Sequence, residues 1–247
     1  MKKIVAVTTF SLTLVLACLS VAAQTQTQSR DDVIKEIEAK RAELAVLEKK
    51  VLAVADSDRQ DFAAFLTQPQ TGVIRLLPRE LYDGAGKRRL AISGGGAYYS
   101  FVRKTHEYGQ GSDIELAQDY LSVGFAGADY GLLLNLGDVS LDQVASDHVA
   151  TRALMDYTPP VKEAEVRAEY RKLWKGIELS GFTFTSRVPA KGSNTYLLRS
   201  VSPERSDILV AFHVVRRDTD GSLILIYKVL KTFPIPKMER TQIAEGN

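Results

Sequence analysis

Ile208-Leu209-Val210-Ala211-Phe212 and Leu223-Ile224-Leu225-Ile226-Tyr227 flank the turn signal Asp218-Thr219-Asp220-Gly221, and these runs decide how the chain folds. Their β-branched and aromatic content reads as strand, and Asp and Gly between them suit the backbone angles of a hairpin turn. A strand with one wet face alternates apolar and polar residues; these runs are apolar at almost every position, so both faces need a cover. The hairpin therefore demands a layer on each side, either a second sheet or a helix. The turn is not a calcium loop. An EF-hand register would place Arg216 at the first ligand position and Tyr227 at the twelfth, and neither supplies a carboxylate.

Further strands are predicted outward from this hairpin, near 72–77, 89–104, 114–125, 130–136, 177–188 and 195–201. Asp83-Gly84, Gly109-Gln110-Gly111 and Lys191-Gly192-Ser193-Asn194 mark turns between them. Short loops join antiparallel neighbours, because a parallel pair needs a long crossover. Between the strand groups, 141–155 reads as a short helix or two. Pro159-Pro160 introduces a helix over 161–174, with Val166, Tyr170 and Leu173 on one face and Gly176 at its end; this helix can cover a sheet face. The expected fold is α+β, mainly antiparallel β, sandwich-like or a partly closed barrel, with an N-terminal amphipathic helix and one covering helix.

The N-terminal helix is expected over 31–68, ahead of a β-rich domain over 71–236 and a tail over 237–247. Asp31 and Asp32 suit a helix start, and no Gly or Pro interrupts 31–55. Ile37, Leu44 and Val51 fall at heptad position a; Val33, Leu47 and Val54 fall at d, where Lys40 breaks the seam. Two readings stand: a helix packed on its own body, or self-association or a protein partner through 31–66.

Lys2 and Lys3, the apolar run Ile4 to Ala17 and the small residues Val21-Ala22-Ala23 form the three parts of a secretory signal peptide over 1–23, followed by a flexible polar leader over 24–30. An uncleaved anchor is the rival reading of the same run. Leu16-Ala17-Cys18 resembles a bacterial lipoprotein box, which implies lipidation of Cys18 in place of a mature terminus at Gln24. Cys18 is the only cysteine, so a mature body would have no disulfide, thiolate metal site or cysteine nucleophile. The expectation is a periplasmic or secreted protein, on a membrane only if Cys18 is lipidated or the signal stays uncleaved. The chain has 32 basic and 30 acidic residues, and loss of Lys2 and Lys3 balances them. No nucleic-acid partner is expected from that balance.

Leu90-Ala91-Ile92-Ser93-Gly94-Gly95-Gly96-Ala97 is the most unusual stretch. Bare backbone there brings amides close to an anion or oxyanion. It is superficially similar to the oxyanion loop of patatin-like lipases, but that family's G-x-S-x-G serine has no counterpart in Gly124-Phe125-Ala126-Gly127, and the resemblance is set aside. A nucleophile elbow must open a helix, whereas Ala97 to Val102 reads as strand. A glycine bulge, or an aromatic packed on bare backbone, is the preferred reading.

His106, His148 and His213 show no metal-ligand spacing, so no metal and no cofactor is expected. His213 lies in an apolar strand and reads as structural. His106, beside Glu107 and Tyr108 at a strand end, is a candidate for ligand binding or proton transfer. Tyr98, Tyr99 and Tyr108 join it as candidates, since aromatic platforms with polar neighbours suit sugar or peptide binding. Asp113, Glu115, Asp119 and Asp129 are the carboxylates available for acid–base work, with no spacing that singles out a pair. No catalytic residue is assigned. The leading expectation is an exported, non-catalytic envelope binding or assembly module; a hydrolase using the Ser93–Gly96 turn with His106, and a small-ligand carrier, are the alternatives.

Overall fold

The computed structural model describes residues 29–84, 89–109, 111–125, 128–144 and 147–239. The signal segment, Cys18 and most of the leader and tail lie outside the described residues. The chain divides into two compact units, 1–40 and 41–247. The described part of the first is helical from Arg30 onward.

The elements in chain order are α1 (Arg30–Leu52), α2 (Asp56–Asp61), α3 (Ala63–Leu66), β1 (Thr71–Leu76), α4 (Arg79–Tyr82), β2 (Tyr98–Tyr99), β3 (Ile114–Ala117), β4 (Tyr120–Ser122) and β5 (Tyr130–Gly137). A 3-10 turn (Leu141–Gln143) follows. Then come α5 (Val149–Asp156), α6 (Glu163–Leu173), β6 (Ile177–Leu179), β7 (Phe182–Phe184), β8 (Arg187–Pro189), β9 (Asn194–Ser202), β10 (Ser206–Arg217) and β11 (Leu223–Thr232).

The fold is α+β with antiparallel sheets. A five-stranded sheet runs β1-β11-β10-β9-β5, and a four-stranded sheet runs β2-β3-β4-β8; neither closes into a barrel. β10 and β11 form the hairpin, with Phe212 opposite Tyr227. Their alternating side chains serve two cores. Val210, Phe212, Val214, Leu223, Leu225 and Tyr227 face the smaller sheet, where they meet Tyr99, Phe101, Ile114, Leu116 and Leu121. Leu209, Ala211, Ile224 and Ile226 face the helices, where Ala150, Leu154, Val166 and Leu173 cover them. The two covers demanded by the sequence are thus a sheet on one side and a helical layer on the other. Each buried Leu, Ile or Phe here contributes about 1.5–3 kcal/mol over an exposed one.

The helix expected over 31–68 is three helices. Backbone extends at Ala55 (φ −60°, ψ 148°); Val54 is thereby buried in the helix-side core, and Asp58 meets the Arg216 guanidinium through both carboxylate oxygens. The strand expected over 89–104 shrinks to Tyr98–Tyr99, because Gly94, Gly95 and Gly96 all take positive φ (80°, 60°, 77°) and wind the chain into turns. A Cβ on Gly95 would lie 2.4 Å from the Tyr82 carbonyl carbon, and one on Gly94 would strike the Tyr98 ring at 2.3 Å.

The strand expected over 114–125 is a hairpin. It turns at Gln118 and Asp119, both at positive φ (49° and 63°), the backbone of a tight two-residue turn without glycine. Ser180-Gly181 makes a second two-residue turn, this one with glycine, so 177–188 holds three short strands. The first residues of the presumed tail are tied down: the Glu239 amide donates to the Val161 carbonyl (2.8 Å), and its carbonyl accepts from Glu163 (3.2 Å).

Candidate functional site

β2 and β3 place Tyr98 directly opposite Glu115. Pro78 opens the single turn of α4, which delivers Arg79 to the same spot. The Tyr98 hydroxyl donates to Glu115 Oε1 (2.6 Å), and Arg79 Nη1 donates to the same oxygen (2.9 Å). Arg79 Nε reaches Asp83 (3.3 Å). Burial, reinforced by the Glu115 carboxylate, pushes the Tyr98 phenol far above its ordinary value, so it stays protonated and donating. The Tyr98 ring packs on Tyr108 (4.7 Å between centroids) and edge-on against Phe125 (5.1 Å).

Two cavities open on this charged centre. One, of about 400 Å³, lies over Tyr98, Tyr108, Ser93 and Gly94. The other, of about 480 Å³, runs toward Trp174, Tyr170 and Arg187; both share Arg79, Glu115 and Phe125. Trp174 follows the last residue of α6 and is 59% exposed. Arg187 on β8 lays its guanidinium over the Tyr120 ring at 3.8 Å, across the β4–β8 pair. A groove with polar anchors at its middle and aromatic faces at both ends can hold a ligand by stacking and hydrogen bonding together.

The four residues singled out in the sequence separate. Tyr98 and Tyr108 line the groove. Tyr99 is buried between the sheets, its hydroxyl 3.4 Å from that of Tyr227. His106 Nε2 lies 2.8 Å from the Arg75 carbonyl of edge strand β1. A carbonyl only accepts, so Nε2 carries the proton. Burial lowers the imidazole's pKa, partly offset by that bond, and favours the neutral ring. Its place is the cap of a sheet edge.

The glycines are bare backbone packed on the Tyr98 ring and the Tyr82 backbone, the preferred reading, and the residues just before them meet an anion of the protein's own. The buried Glu48 carboxylate of α1 accepts from the Ala91 and Ile92 amides (3.1 Å for Ile92). Ser93 and His106 line a third cavity of about 640 Å³ beside Glu48 and Glu107, yet among the described residues no hydrogen bond joins Ser93 to His106. His213 bonds Thr195 Oγ1 (2.8 Å), and burial lowers its pKa. His148 precedes α5 with Nδ1 buried and unpartnered among the described residues. Asp113 ties the two sheets, accepting from the Phe101 amide and the Ser200 hydroxyl (2.7 Å each); burial pushes it up to about 6.

Arg79, Phe125, Trp174 and Arg187 went unseen in the sequence, and Glu115 was one carboxylate among four. The one available signal was a lone charge inside the apolar run Ile114-Glu115-Leu116. Among the described residues, no cluster of three His, Cys, Asp or Glu side chains can hold a metal, and no helix is long and apolar enough to cross a membrane. Comparison with protein-family models, with curated proteins and with solved structures gave no match.

Proposed function

We propose that this chain is an exported, non-catalytic binding domain whose ligand lies in the groove between Tyr98 and Trp174. The observation that carries the reading is the Arg79–Glu115–Tyr98 centre, a polar anchor fixed by mutual hydrogen bonds and flanked by aromatic rings. Export rests on the Lys2-Lys3 start and the apolar run after it. Binding is favoured over hydrolysis because Glu48 already engages the Ala91 and Ile92 amides, and His106 is held by Arg75. A catalytic serine needs a base within hydrogen-bond reach.

Trp174 is the only tryptophan, so its fluorescence reports on the groove. Titration with small-molecule fractions of an envelope extract should give a saturable change that Glu115→Ala abolishes. A change that survives Glu115→Ala, or ester turnover lost in Ser93→Ala, overturns the reading. Fusion of residues 1–30 to a reporter active only outside the cytoplasm tests export, and silence refutes it.

A second role in assembly is favoured by α1, where Val33, Ile37, Leu44, Leu47 and Val51 of the heptad row are exposed. Large apolar residues repeated along one helix are the usual material of an oligomer seam.

A further inference from the structure

We infer that the Arg187 end of the groove takes a sugar ring carrying a carboxylate, an inference that rests on the binding reading above. Arg79 is already matched to Glu115 and Asp83. Arg187 differs: among the described residues it forms no ion pair, and its Nε is buried without a hydrogen-bond partner. An arginine seated over the Tyr120 ring, lining the cavity and matched to no carboxylate of its own, suits the paired bonds that a carboxylate brought by a ligand accepts.

The rest of the ligand follows from what surrounds that cation. Trp174 and Tyr170, edge to face at 6.4 Å, offer an aromatic surface at the same cavity. Such a surface suits the apolar face of a pyranose ring. Glu80, Glu115 and the Ser122 hydroxyl line the cavity as acceptors. Carboxylates repel a second acid placed beside them but accept hydrogen bonds from hydroxyls. A molecule with one acid group, many hydroxyls and one flat apolar face meets all three features.

The test uses the full mature protein, Trp174 fluorescence and calorimetry, with three probes: a methyl galacturonoside with its single carboxylate, the same sugar with that carboxylate reduced to the alcohol, and a neutral peptide carrying one glutamate. The galacturonoside should bind saturably and at least tenfold more tightly than the reduced sugar. Arg187→Ala should weaken it at least tenfold and the reduced sugar much less, Arg187→Lys should fall between, and Trp174→Ala, read by calorimetry, should weaken both sugars. Equal binding of the two sugars, with loss of both in Glu115→Ala, overturns the acid requirement and leaves the groove reading standing. Tighter binding of the peptide overturns the saccharide class. Silence with all three probes, while an envelope fraction still gives a Glu115-dependent change, overturns this inference alone; silence with everything overturns both. Circular dichroism of each variant confirms its fold, and Trp174, being exposed, gives a variant whose folding does not depend on the ring.

Discussion

Arg199→Met should come close to unfolding the domain. Arg199 sits on β9 with only 2% of its side chain exposed, paired through Nε and Nη2 with both oxygens of an equally buried Asp207 (2.9 and 2.8 Å). Its Nη1 also donates to the carbonyls of Leu154 and Tyr157, and its guanidinium stacks on Phe233 at 3.8 Å. Methionine matches the volume roughly and strands the rest. Breaking a buried pair by removing one partner costs about 3–5 kcal/mol, because the remaining charge stays dry. Each carbonyl left without a donor adds about 1 kcal/mol or more. The sum, about 5–7 kcal/mol, rivals the whole stability of an ordinary domain, about 5–15 kcal/mol. Asp207→Leu should lose about 3–5 kcal/mol, since Arg199 keeps two carbonyls. The double variant should be more stable than the two single losses predict, by about 3 kcal/mol, because no lone charge remains. Urea denaturation followed by circular dichroism, on wild type and all three variants, measures the coupling. Single losses under about 1 kcal/mol, or losses that simply add, would refute the reasoning.

Glu48→Ala should leave the Ala91 and Ile92 amides unmet and cost about 3 kcal/mol, with Glu48→Gln milder because its carbonyl still accepts; hydrogen exchange at those two amides should accelerate, and unchanged exchange would contradict their pairing with Glu48. Asp113 has a folded-state pKa raised from 3.8 to about 6 by burial, so folding favours its neutral form, and stability should fall as pH rises from about 4 to about 6. The window is worth about 3 kcal/mol; Asp113→Asn should flatten it, and parallel wild-type and variant curves over that range would sink the assignment. If α1 is an oligomer seam, Leu44→Glu with Leu47→Glu should convert a concentration-dependent oligomer to monomer in light scattering; a wild type that is already monomeric at high concentration removes the seam.

The layered fold was legible because burial on both faces writes itself as unbroken apolar runs, as in 208–212 and 223–227. Breaks without glycine or proline were not legible. Gln118 and Asp119 turn a hairpin in a stretch that reads as continuous strand, and Ala53 to Ala55 interrupt helix-forming sequence for the sake of Val54 and Asp58. The glycine run was legible as bare backbone beside an aromatic ring, which Tyr98 supplies at Gly94, but nothing local identified Glu48, 43 residues before Ala91, as the acceptor for the amides just ahead of it. For the groove, Tyr98 and Tyr108 were visible as a cluster, whereas Arg79, Trp174 and Arg187 arrive from separate elements. Their proximity is a property of tertiary packing. His106 looked reactive by composition, and its neighbour in space, the Arg75 carbonyl, gave it a different task.

The order of strands in the larger sheet bears on how the molecule can be made. β11, the last strand synthesised, lies between β1, the first, and β10, with Ile74 opposite Leu225 on one side and Phe212 opposite Tyr227 on the other. A chain emerging from the N-terminus therefore carries β1 unpaired, and both cores without their β11 side chains, until nearly all of its length has appeared. Such a polypeptide closes up only when Leu223 to Thr232 arrive, so a premature stop before that point should yield a sticky fragment and not a smaller version of the domain.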